Sequence, residues 1–250
     1  MSLSVSYCTK ISAAGKRIIL VFLNFPVRIK RLSQHFYRGL SLQMTKEAYW
    51  KDEAAESSAA SVVLLWFAEL FVLLLECLGI GEIYETLADL LKYKARPLTK
   101  NEIKLAKSIY GQSIDYTKVT IDETAWLGPK QYRFCYVSFN TINCWGKLSD
   151  YIFIHEMMHI WQYQQLGAKY MIRALIAQHS KMGYDYGGIT DILGKIKNGK
   201  SLFDYNFEQQ ADVVTDYFLL KNERLPQWGN ANSTHLSEYE DFIQVVRNIA

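Results

Sequence analysis

The sequence has few cysteines, and none of them is spaced like the cysteine ligands of a zinc site. Only four occur in 250 residues, Cys8, Cys77, Cys135 and Cys144, and no two form a C-x-x-C pair. They therefore do not resemble zinc ligands. Cys135 and Cys144 flank a short segment and could form a disulfide across a hairpin. We expect reduced core cysteines instead, because the chain lacks a secretory signal.

The first residues of the chain do not have the pattern of a secretory signal peptide. Residues 18–25 form a short apolar run, but the run ends at Pro26 and a basic cluster. No small-x-small cleavage site follows it, as a signal peptide would require. We therefore expect the protein to stay in the cytoplasm of the producing cell, unless a signal-independent route exports it.

Acidic side chains are almost missing from the first fifth of the chain. Residues 1–50 contain eight lysines and arginines but one acid, Glu47, although the net charge of the whole chain is only +3. Such a basic segment can approach anionic lipid or nucleic acid, but more often it is a solvated or partner-binding arm. We interpret residues 1–58 as a basic arm ending in a linker, and we expect no nucleic-acid partner.

Residues 59–95 form the most apolar region. The run at residues 61–80 is about twenty residues long, which is enough to cross a bilayer, but Glu69 and Glu76 interrupt it. Each carboxylate is costly in hydrocarbon. We favour a buried helix, and the alternatives are a helix covered by a partner such as a secretion chaperone, or membrane contact through residues 61–80. Residues 82–93 are predicted to form a second, amphipathic helix.

Residues 96–250 mix helices and strands, and their first helix has a clear start. Thr99 and Glu102 have the spacing of a capping box, which predicts a helix that continues to Tyr110 and stops at Gly111. Strands are predicted at 116–121 and within 131–145, and further helices at 169–181, 191–197, 204–220 and 237–246. Ser237 and Glu240 have the spacing that predicts a cap at the start of the last helix.

Histidine is also scarce, yet two of the five histidines stand in the pattern H-E-x-x-H. Ser149 or Asp150 before the motif and Gly167 after it predict a helix. On that helix His155 and His159 are one turn apart, so both imidazoles can reach one metal ion. Glu156 points about 100° away from His155, where it can act on a catalytic water without binding the metal. The alternative is an ordinary amphipathic helix with two histidines.

Zinc in a catalytic site needs a third protein ligand and an open fourth position. Glu208 is the best candidate, because Asp212 follows it by one helical turn and can accept a hydrogen bond from a ligand imidazole. His179 is a second candidate for the third ligand. In a third interpretation, Glu208 and Asp212 are only solvated helix charges.

Two further parts of the chain are candidates for contact with a substrate. An oxyanion needs a hydrogen-bond donor, and Tyr184 and His179 lie in the loop-rich stretch between the two metal-binding helices. We rank both ahead of Tyr186 and Tyr205. The strand predicted near residues 134–143 could bind an extended peptide by edge pairing.

Together these motifs resemble those of a known enzyme family. H-E-x-x-H followed by E-x-x-x-D is similar to the pattern of the gluzincin zinc metallopeptidases. More narrowly, residues 96–220 resemble the zincin family found beside Rhs and Vgr proteins of bacterial type VI secretion systems. The segments that carry this resemblance are RPLTKNEI at 96–103, IYGQSIDY at 109–116, HEMMHIWQYQ at 155–164 and YNFEQQAD at 205–212.

The resemblance implies a fold, a cofactor and a function. It implies an α+β zincin-like metallopeptidase domain, mostly helical with a small sheet, that binds Zn²⁺ through His155, His159 and Glu208. It further implies an antibacterial effector that hydrolyses amide bonds of proteins or of peptidoglycan peptides in a target cell, either in its periplasm or in its cytoplasm. A secretion-machinery partner or chaperone and a cognate immunity protein are expected with it. The alternatives are a secretion-associated adaptor with a vestigial zinc site, and a membrane-active segment at residues 17–80 carried by the domain.

Overall fold

A computed structural model describes residues 3–40, 59–91, 95–125, 129–132, 134–180 and 183–248. The linker is predicted from the small polar run at residues 54–61; residues 54–58 lie outside the described residues, and residues 59–61 belong to a helix. The helices are α1 Leu3–Leu40, α2 Ala59–Cys77, α3 Ile80–Leu91, α4 Lys100–Tyr110, α5 Pro129–Tyr132, α6 Asp150–Leu166, α7 Lys169–His179, α8 Gly188–Lys197, α9 Phe207–Lys221, α10 Leu236–Ile243 and α11 Val245–Asn248. The strands are β1 Ala95–Pro97, β2 Thr120–Asp122, β3 Tyr136–Ser138 and β4 Thr141–Asn143.

The core of the molecule forms around the pairing of α6 with α9. Every residue of α9 from Phe207 to Leu220 is buried, and α6 buries Ile154, Met157 and Met158 completely. A helix that is buried all round must be covered on every side by other elements. Helices α7 and α10 and the sheet supply this cover, so α6 and α9 lie at the centre of the fold.

The four strands form one small mixed sheet in the order β1-β2-β4-β3. Strands β2 and β4 are parallel and pair Ile121 with Ile142, while the two outer pairings are antiparallel. Both isoleucines are buried in the core, and β3 and β4 contact α6. The segments predicted as strands contain or overlap β2, β3 and β4 but are too long, because each strand has only three residues and residues 131–132 belong to α5. The sequence analysis does not predict β1.

The capping box predicted at the start of α4 is confirmed. The Thr99 hydroxyl accepts a hydrogen bond from the Glu102 amide at 3.2 Å, and a Glu102 carboxylate oxygen accepts one from the Thr99 amide at 2.7 Å. Arg96 adds a two-pronged ion pair to the same carboxylate, with both distances 2.9 Å. Gly111 ends the helix with a φ of 58°, a conformation that favours glycine.

Replacing Glu102 by glutamine is expected to destabilise the fold in a pH-dependent way. Burial alone would raise the pKa of Glu102, but hydrogen bonds from Arg96 and Thr99 overcome it and lower the pKa to about 2. Because this pKa lies below the unfolded value, the stabilisation is present above pH 4.5 and is lost as the pH falls towards 2. We expect Glu102→Gln to lower the free energy of unfolding by about 1 kcal/mol at pH 7, a modest value because the pair is partly solvated.

Urea unfolding at pH 7 and pH 3 measures this effect. The loss in Glu102→Gln should shrink at pH 3, where the wild-type carboxyl group is largely protonated in the unfolded chain and must lose its proton on folding to form the ion pair. A loss of equal size at both pH values would contradict the role of the ionised carboxylate.

The N-terminal region differs from the predicted basic arm, because residues 3–40 form one helix that continues through Pro26. Its arginines find carboxylates on the next two helices. Arg31 pairs with Glu76 at 2.8 Å, and Arg28 pairs with Glu82. These partners lie more than forty residues further along the chain, so the pattern of α1 alone does not reveal them.

The favoured interpretation of residues 61–80 as a buried helix is correct for one side only. Leu65 and Leu73 of α2 are buried, whereas Leu64, Phe67 and Phe71 are exposed. In the described part of the chain, no single helix is long and apolar enough to cross a membrane. Residues 61–77 and 80–88 meet that criterion only together, as a pair of helices bent by 69°.

The predicted cap of the last helix is wrong. Helix α10 begins at Leu236, so Ser237 lies inside it, and its hydroxyl bonds to Glu238. A short 3-10 turn precedes the helix and is capped by Asn232, whose side chain accepts a hydrogen bond from the Thr234 amide at 3.0 Å. The spacing S-x-x-E therefore occurs here without marking the start of a helix.

Candidate metal centre

Helix α6 carries the two histidines of the H-E-x-x-H motif on one face. The helix begins after Ser149 and ends at Gly167, as the sequence predicts, although no hydrogen bond from the Ser149 side chain caps it. The ring centroids of His155 and His159 are 5.0 Å apart. His159 is buried and His155 is only slightly exposed, so the pair lies at the edge of the core.

Helix α9 brings Glu208 to the same place. Asn206 caps this helix by accepting a hydrogen bond from the Gln209 amide at 2.9 Å, which puts Glu208 in the first turn. One carboxylate oxygen of Glu208 lies 3.4 Å from Nε2 of His155 and 3.3 Å from Nε2 of His159. The three ligand atoms lie within 4.8 Å of one another, close enough for one metal ion to bind all three.

The chemistry of this cluster fits a zinc ion. Two imidazole nitrogens and one carboxylate oxygen are the protein ligands of many catalytic zinc sites. The second oxygen of Glu208 and one oxygen of Glu156 are buried without a hydrogen-bond partner. A buried carboxylate oxygen without a partner is destabilising. A cation bound by His155, His159 and Glu208 would compensate for this cost.

Each histidine is fixed by a hydrogen bond on its other ring nitrogen. Nδ1 of His155 lies 2.9 Å from Asp212, and Nδ1 of His159 lies 2.9 Å from the side-chain oxygen of Gln162. Because both Nδ1 atoms are engaged, both Nε2 atoms face Glu208. Hydrogen bonds of this kind set the tautomer and the orientation of a metal-binding imidazole.

The charges of the cluster strongly perturb its protonation. Burial alone would raise the pKa of Glu208, but the two imidazoles hold it well below its usual range. Burial would lower the pKa of His155, but hydrogen bonds to Asp212 and Glu208 raise it well above the ordinary value. The carboxylate of Glu208 is therefore kept ionised, as a metal ligand must be.

Glu156 stands beside the three ligands without joining them. It is buried, and burial raises the pKa of its carboxyl group. The nearby imidazoles of His159 and His155 act in the opposite direction. A raised pKa makes the carboxylate a stronger base, which suits it to accept a proton from a water molecule held at the neighbouring cluster.

The structure places the two predicted oxyanion donors differently. The ring centroid of Tyr184 lies 6.3 Å from that of His155, and 41% of the residue is exposed, so Tyr184 stands on the open side of the cluster. His179 bonds instead to the Leu175 carbonyl of its own helix at 2.8 Å. Within the described ranges, no hydrogen bond or ring contact joins His179 to the three ligands. Of the two candidates for the third ligand, the structure brings Glu208 and not His179 to the histidine pair, and of the two candidate donors only Tyr184 is recorded beside that pair.

Three residues at the site escape the sequence analysis. Gln162 supports His159, Trp228 donates a hydrogen bond to Asp212 at 2.7 Å, and the Tyr170 ring lies 5.8 Å from that of His159. The position of Gln162, three residues after His159 on a predicted helix, is a signal that could have identified it. Trp228 lies in a loop that only the folded chain brings to α9.

We predict that Gln162→Leu weakens zinc binding by about 10- to 100-fold, as is usual when the partner of a metal-binding histidine is removed. Gln162 also donates to the Phe207 carbonyl at 3.1 Å and to the Gln210 side chain at 3.0 Å, so it ties the two metal-binding helices together. Competition with a chelator of known affinity measures the change. Gln165→Leu is the matched control, because Gln165 lies on the same helix and bonds to the Ser113 carbonyl. Equal affinities of the two variants would contradict the assigned role.

Comparison with known proteins gives one clear sequence match. No protein-family profile matches the chain. The chain is 35% identical over 142 aligned positions to the type VI secretion system spike protein VgrG2b of Pseudomonas aeruginosa. The match covers 51% of this chain but only 13% of that much longer protein. The chain is therefore similar to one part of a type VI secretion protein.

A solved structure gives a second comparison with the same protein. The effector domain of Pseudomonas aeruginosa VgrG2b is 26% identical to this chain, and the match covers 63% of this chain and 86% of that domain. The TM-score is 0.39.

Proposed function

We propose that this chain is a type VI secretion-associated effector that hydrolyses amide bonds, with zinc bound by His155, His159 and Glu208 in a zincin-like domain. The observation that carries the proposal is the meeting of these three side chains, from α6 and α9, with the free carboxylate Glu156 beside them. The sequence similarity to VgrG2b supports the association with type VI secretion.

The three ligands are held ready for a metal by the protein itself. Hydrogen bonds from His155 and His159 to Asp212 and Gln162 aim both Nε2 atoms at Glu208. When bound there, Zn²⁺ would polarise the scissile carbonyl group and lower the pKa of a water molecule towards neutrality. The surrounding core keeps the ligands rigid, which favours attack in a fixed geometry.

Glu156 is proposed as the general base and then the general acid. Its unpaired oxygen accepts a proton from the attacking water and later donates that proton to the leaving amine. Burial supports this role, because it raises the pKa of the carboxyl group and so makes the carboxylate a stronger base.

Tyr184 is proposed to stabilise the negative charge that develops on the carbonyl oxygen. Its hydroxyl is a neutral donor at neutral pH, as a tyrosine hydroxyl ordinarily is, and partial burial together with the negative charges of Glu208 and Asp212 raises its pKa further. An exposed tyrosine next to a ligand histidine can reach a substrate that enters from solvent. A hydrogen bond to this oxygen would be strongest in the transition state.

Strand β3 is proposed to hold the substrate in an extended conformation. It lies at one edge of the sheet and contacts α6, which carries the motif. A peptide added at a sheet edge is held by main-chain hydrogen bonds, so binding depends little on its side chains. Proteins and peptidoglycan peptides are both candidate substrates on this basis.

Metal removal and return test the proposal. The purified chain, stripped by a chelator, is given one equivalent of Zn²⁺ or, as a control, of Mg²⁺. Cleavage is then measured on denatured casein and on purified peptidoglycan sacculi. We expect binding of about one zinc per chain and cleavage of at least one substrate with zinc only. Failure of the zinc-loaded protein to cleave either class of amide would contradict the proposal.

A further inference from the structure

Helix α2, and parts of α1 and α3, place polar groups inside and apolar groups outside. Arg28, Glu69 and Glu76 are buried between the helices, whereas Leu64 of α2 and Phe22 of α1 are 72% and 74% exposed. Water-soluble helices show the opposite arrangement, with charged side chains facing the solvent. The outer surface of this region is therefore suited to apolar surroundings.

The outer face of α2 is apolar throughout. From residue 63 to residue 78, no exposed position carries a polar side chain. The exposed residues follow each other at helical spacing on one side: Val63, Leu64, Phe67, Phe71, Leu74 and Leu78. Soluble monomers rarely expose contiguous apolar patches larger than a few hundred Å².

Helices α1 and α3 also expose apolar side chains. Helix α1 exposes Ile18, Ile19 and Leu23, and α3 exposes Ile83 and Leu87. The two helices are packed against each other, and Arg17 of α1 pairs with Glu85 of α3 at 3.6 Å. The apolar outer face thus belongs to a unit of three helices held together by internal ion pairs.

The two carboxylates of α2 do not interrupt this face, because both point inward. Glu69 lies 2.7 Å from Arg173 of α7 and 3.5 Å from Nδ1 of His35. Glu76 lies 2.8 Å from Arg31. A charged side chain in hydrocarbon costs free energy. Contact of the outer surface with lipid would not incur this cost, because neither carboxylate lies on that surface.

We propose that the outer face of α1, α2 and α3 docks into one leaflet of a phospholipid bilayer. A protein partner fits this face less well, because protein interfaces carry about one hydrogen bond per 100–200 Å². The outer face of α2 offers no side-chain donor or acceptor from residue 63 to residue 78. A hydrocarbon surface forms no hydrogen bonds with side chains, and the backbone N–H and C=O groups of a helix bond to one another.

The helices dock on the bilayer and do not cross it. Their inner side is occupied by the rest of the chain, since Arg173 binds Glu69 and Arg31 donates to the Gln164 carbonyl of α6 at 2.7 Å. A spanning helix would have to exchange these contacts for lipid. Helices that lie in the interface bury only one face, to a depth of about 5–10 Å.

The charge of α1 favours anionic lipid. The helix contains seven lysines and arginines and no acid. Three of its arginines pair with carboxylates of α2 and α3, and Lys30 is exposed next to the half-exposed Ile29. A basic residue near an anionic surface contributes about 1 kcal/mol to binding, so we expect a moderate preference for anionic vesicles.

Flotation of the full-length protein with vesicles tests the proposal. The vesicles are phosphatidylcholine alone, or phosphatidylcholine with one quarter phosphatidylglycerol. Wild type should float with both, and more with the anionic vesicles. The triple variant Leu64→Gln, Phe67→Gln and Phe71→Gln should bind at least about 10-fold more weakly. These side chains are exposed, so the variant should fold, which circular dichroism and zinc content verify.

The matched control changes three exposed apolar residues outside this face, namely Tyr132→Gln, Leu193→Gln and Leu225→Gln. It should float like wild type, and so should Glu156→Gln, because docking does not depend on catalysis. No flotation of wild type, or equal flotation of the two triple variants, would overturn the proposal. Oligomers of wild type that dissociate in the first triple variant, without vesicle binding, would show instead that the face binds a second copy of the chain.

Discussion

Glu156→Gln is expected to lower the rate of amide hydrolysis by about a thousandfold while the protein keeps one zinc per chain. Loss of a general base typically reduces a rate by a factor of about 10²–10⁴. Glutamine has nearly the same shape as glutamate but cannot accept and return a proton. Because Glu156 is not among the three ligands, the metal content should not change.

The measurement compares cleavage rates and zinc content of purified wild type and variant. Glu223→Gln is the matched control, since it makes the same change from carboxylate to amide at an exposed residue just beyond α9. A secretion-associated adaptor with a vestigial zinc site would behave differently: Glu156→Gln would then equal wild type in every assay. Retained hydrolysis in Glu156→Gln would contradict the assignment of the base.

The same pair of proteins also locates the site of action. Wild type and Glu156→Gln can be expressed in bacteria with and without an added export signal, with growth as the readout. We expect growth arrest that depends on Glu156 and occurs only when the protein reaches the periplasm. Arrest in the cytoplasm alone would instead indicate a cytoplasmic substrate.

Glu208→Ala is expected to abolish stable zinc binding. Glu208 supplies the only carboxylate of the cluster that the described residues form, and it is almost completely buried between the two imidazoles. Two histidines one turn apart bind zinc far more weakly than a complete set of three protein ligands. Less than about 0.1 zinc per chain should remain after gel filtration in metal-free buffer.

His179→Ala provides the comparison for this experiment, because His179 is the other sequence-based candidate for the third ligand. We expect this variant to keep its zinc, since His179 bonds to its own helix. If Glu208→Ala kept its zinc and His179→Ala lost it, His179 and not Glu208 would be the third ligand. Circular dichroism distinguishes lost metal from lost fold, since Glu208→Ala also leaves the polar groups of His155 and His159 in the core with fewer partners.

Features fixed by local chemistry are predicted well from the sequence. The start of α4 is set by two side chains that bond to backbone amides within three residues, and its end by a glycine. The H-E-x-x-H spacing defines a common face on α6 wherever that helix lies. Glu208 and Asp212 are identified by the same helical spacing, combined with the chemical need of zinc for a third ligand.

Features that depend on distant partners are not predicted. The basic residues of α1 resemble a solvated arm, because their carboxylate partners belong to α2 and α3. The role of Trp228 depends on a loop that folds back sixteen residues onto Asp212. The inverted polarity of the N-terminal helices also escapes sequence analysis, since composition does not show which side of α2 faces Arg173.

The position of the metal ligands on the two most buried helices limits which mutations the protein tolerates. The spacing between His159 and Glu208 is set by the packing of α6 on α9 and not by any direct covalent link. A displacement of about 1 Å at a reacting centre can reduce a rate about a hundredfold, and overpacking a core typically costs about 1–3 kcal/mol of stability. We therefore expect substitutions at the buried residues Met157 of α6 and Val213 of α9 to change the spacing of the proposed ligands, and with it activity as well as stability.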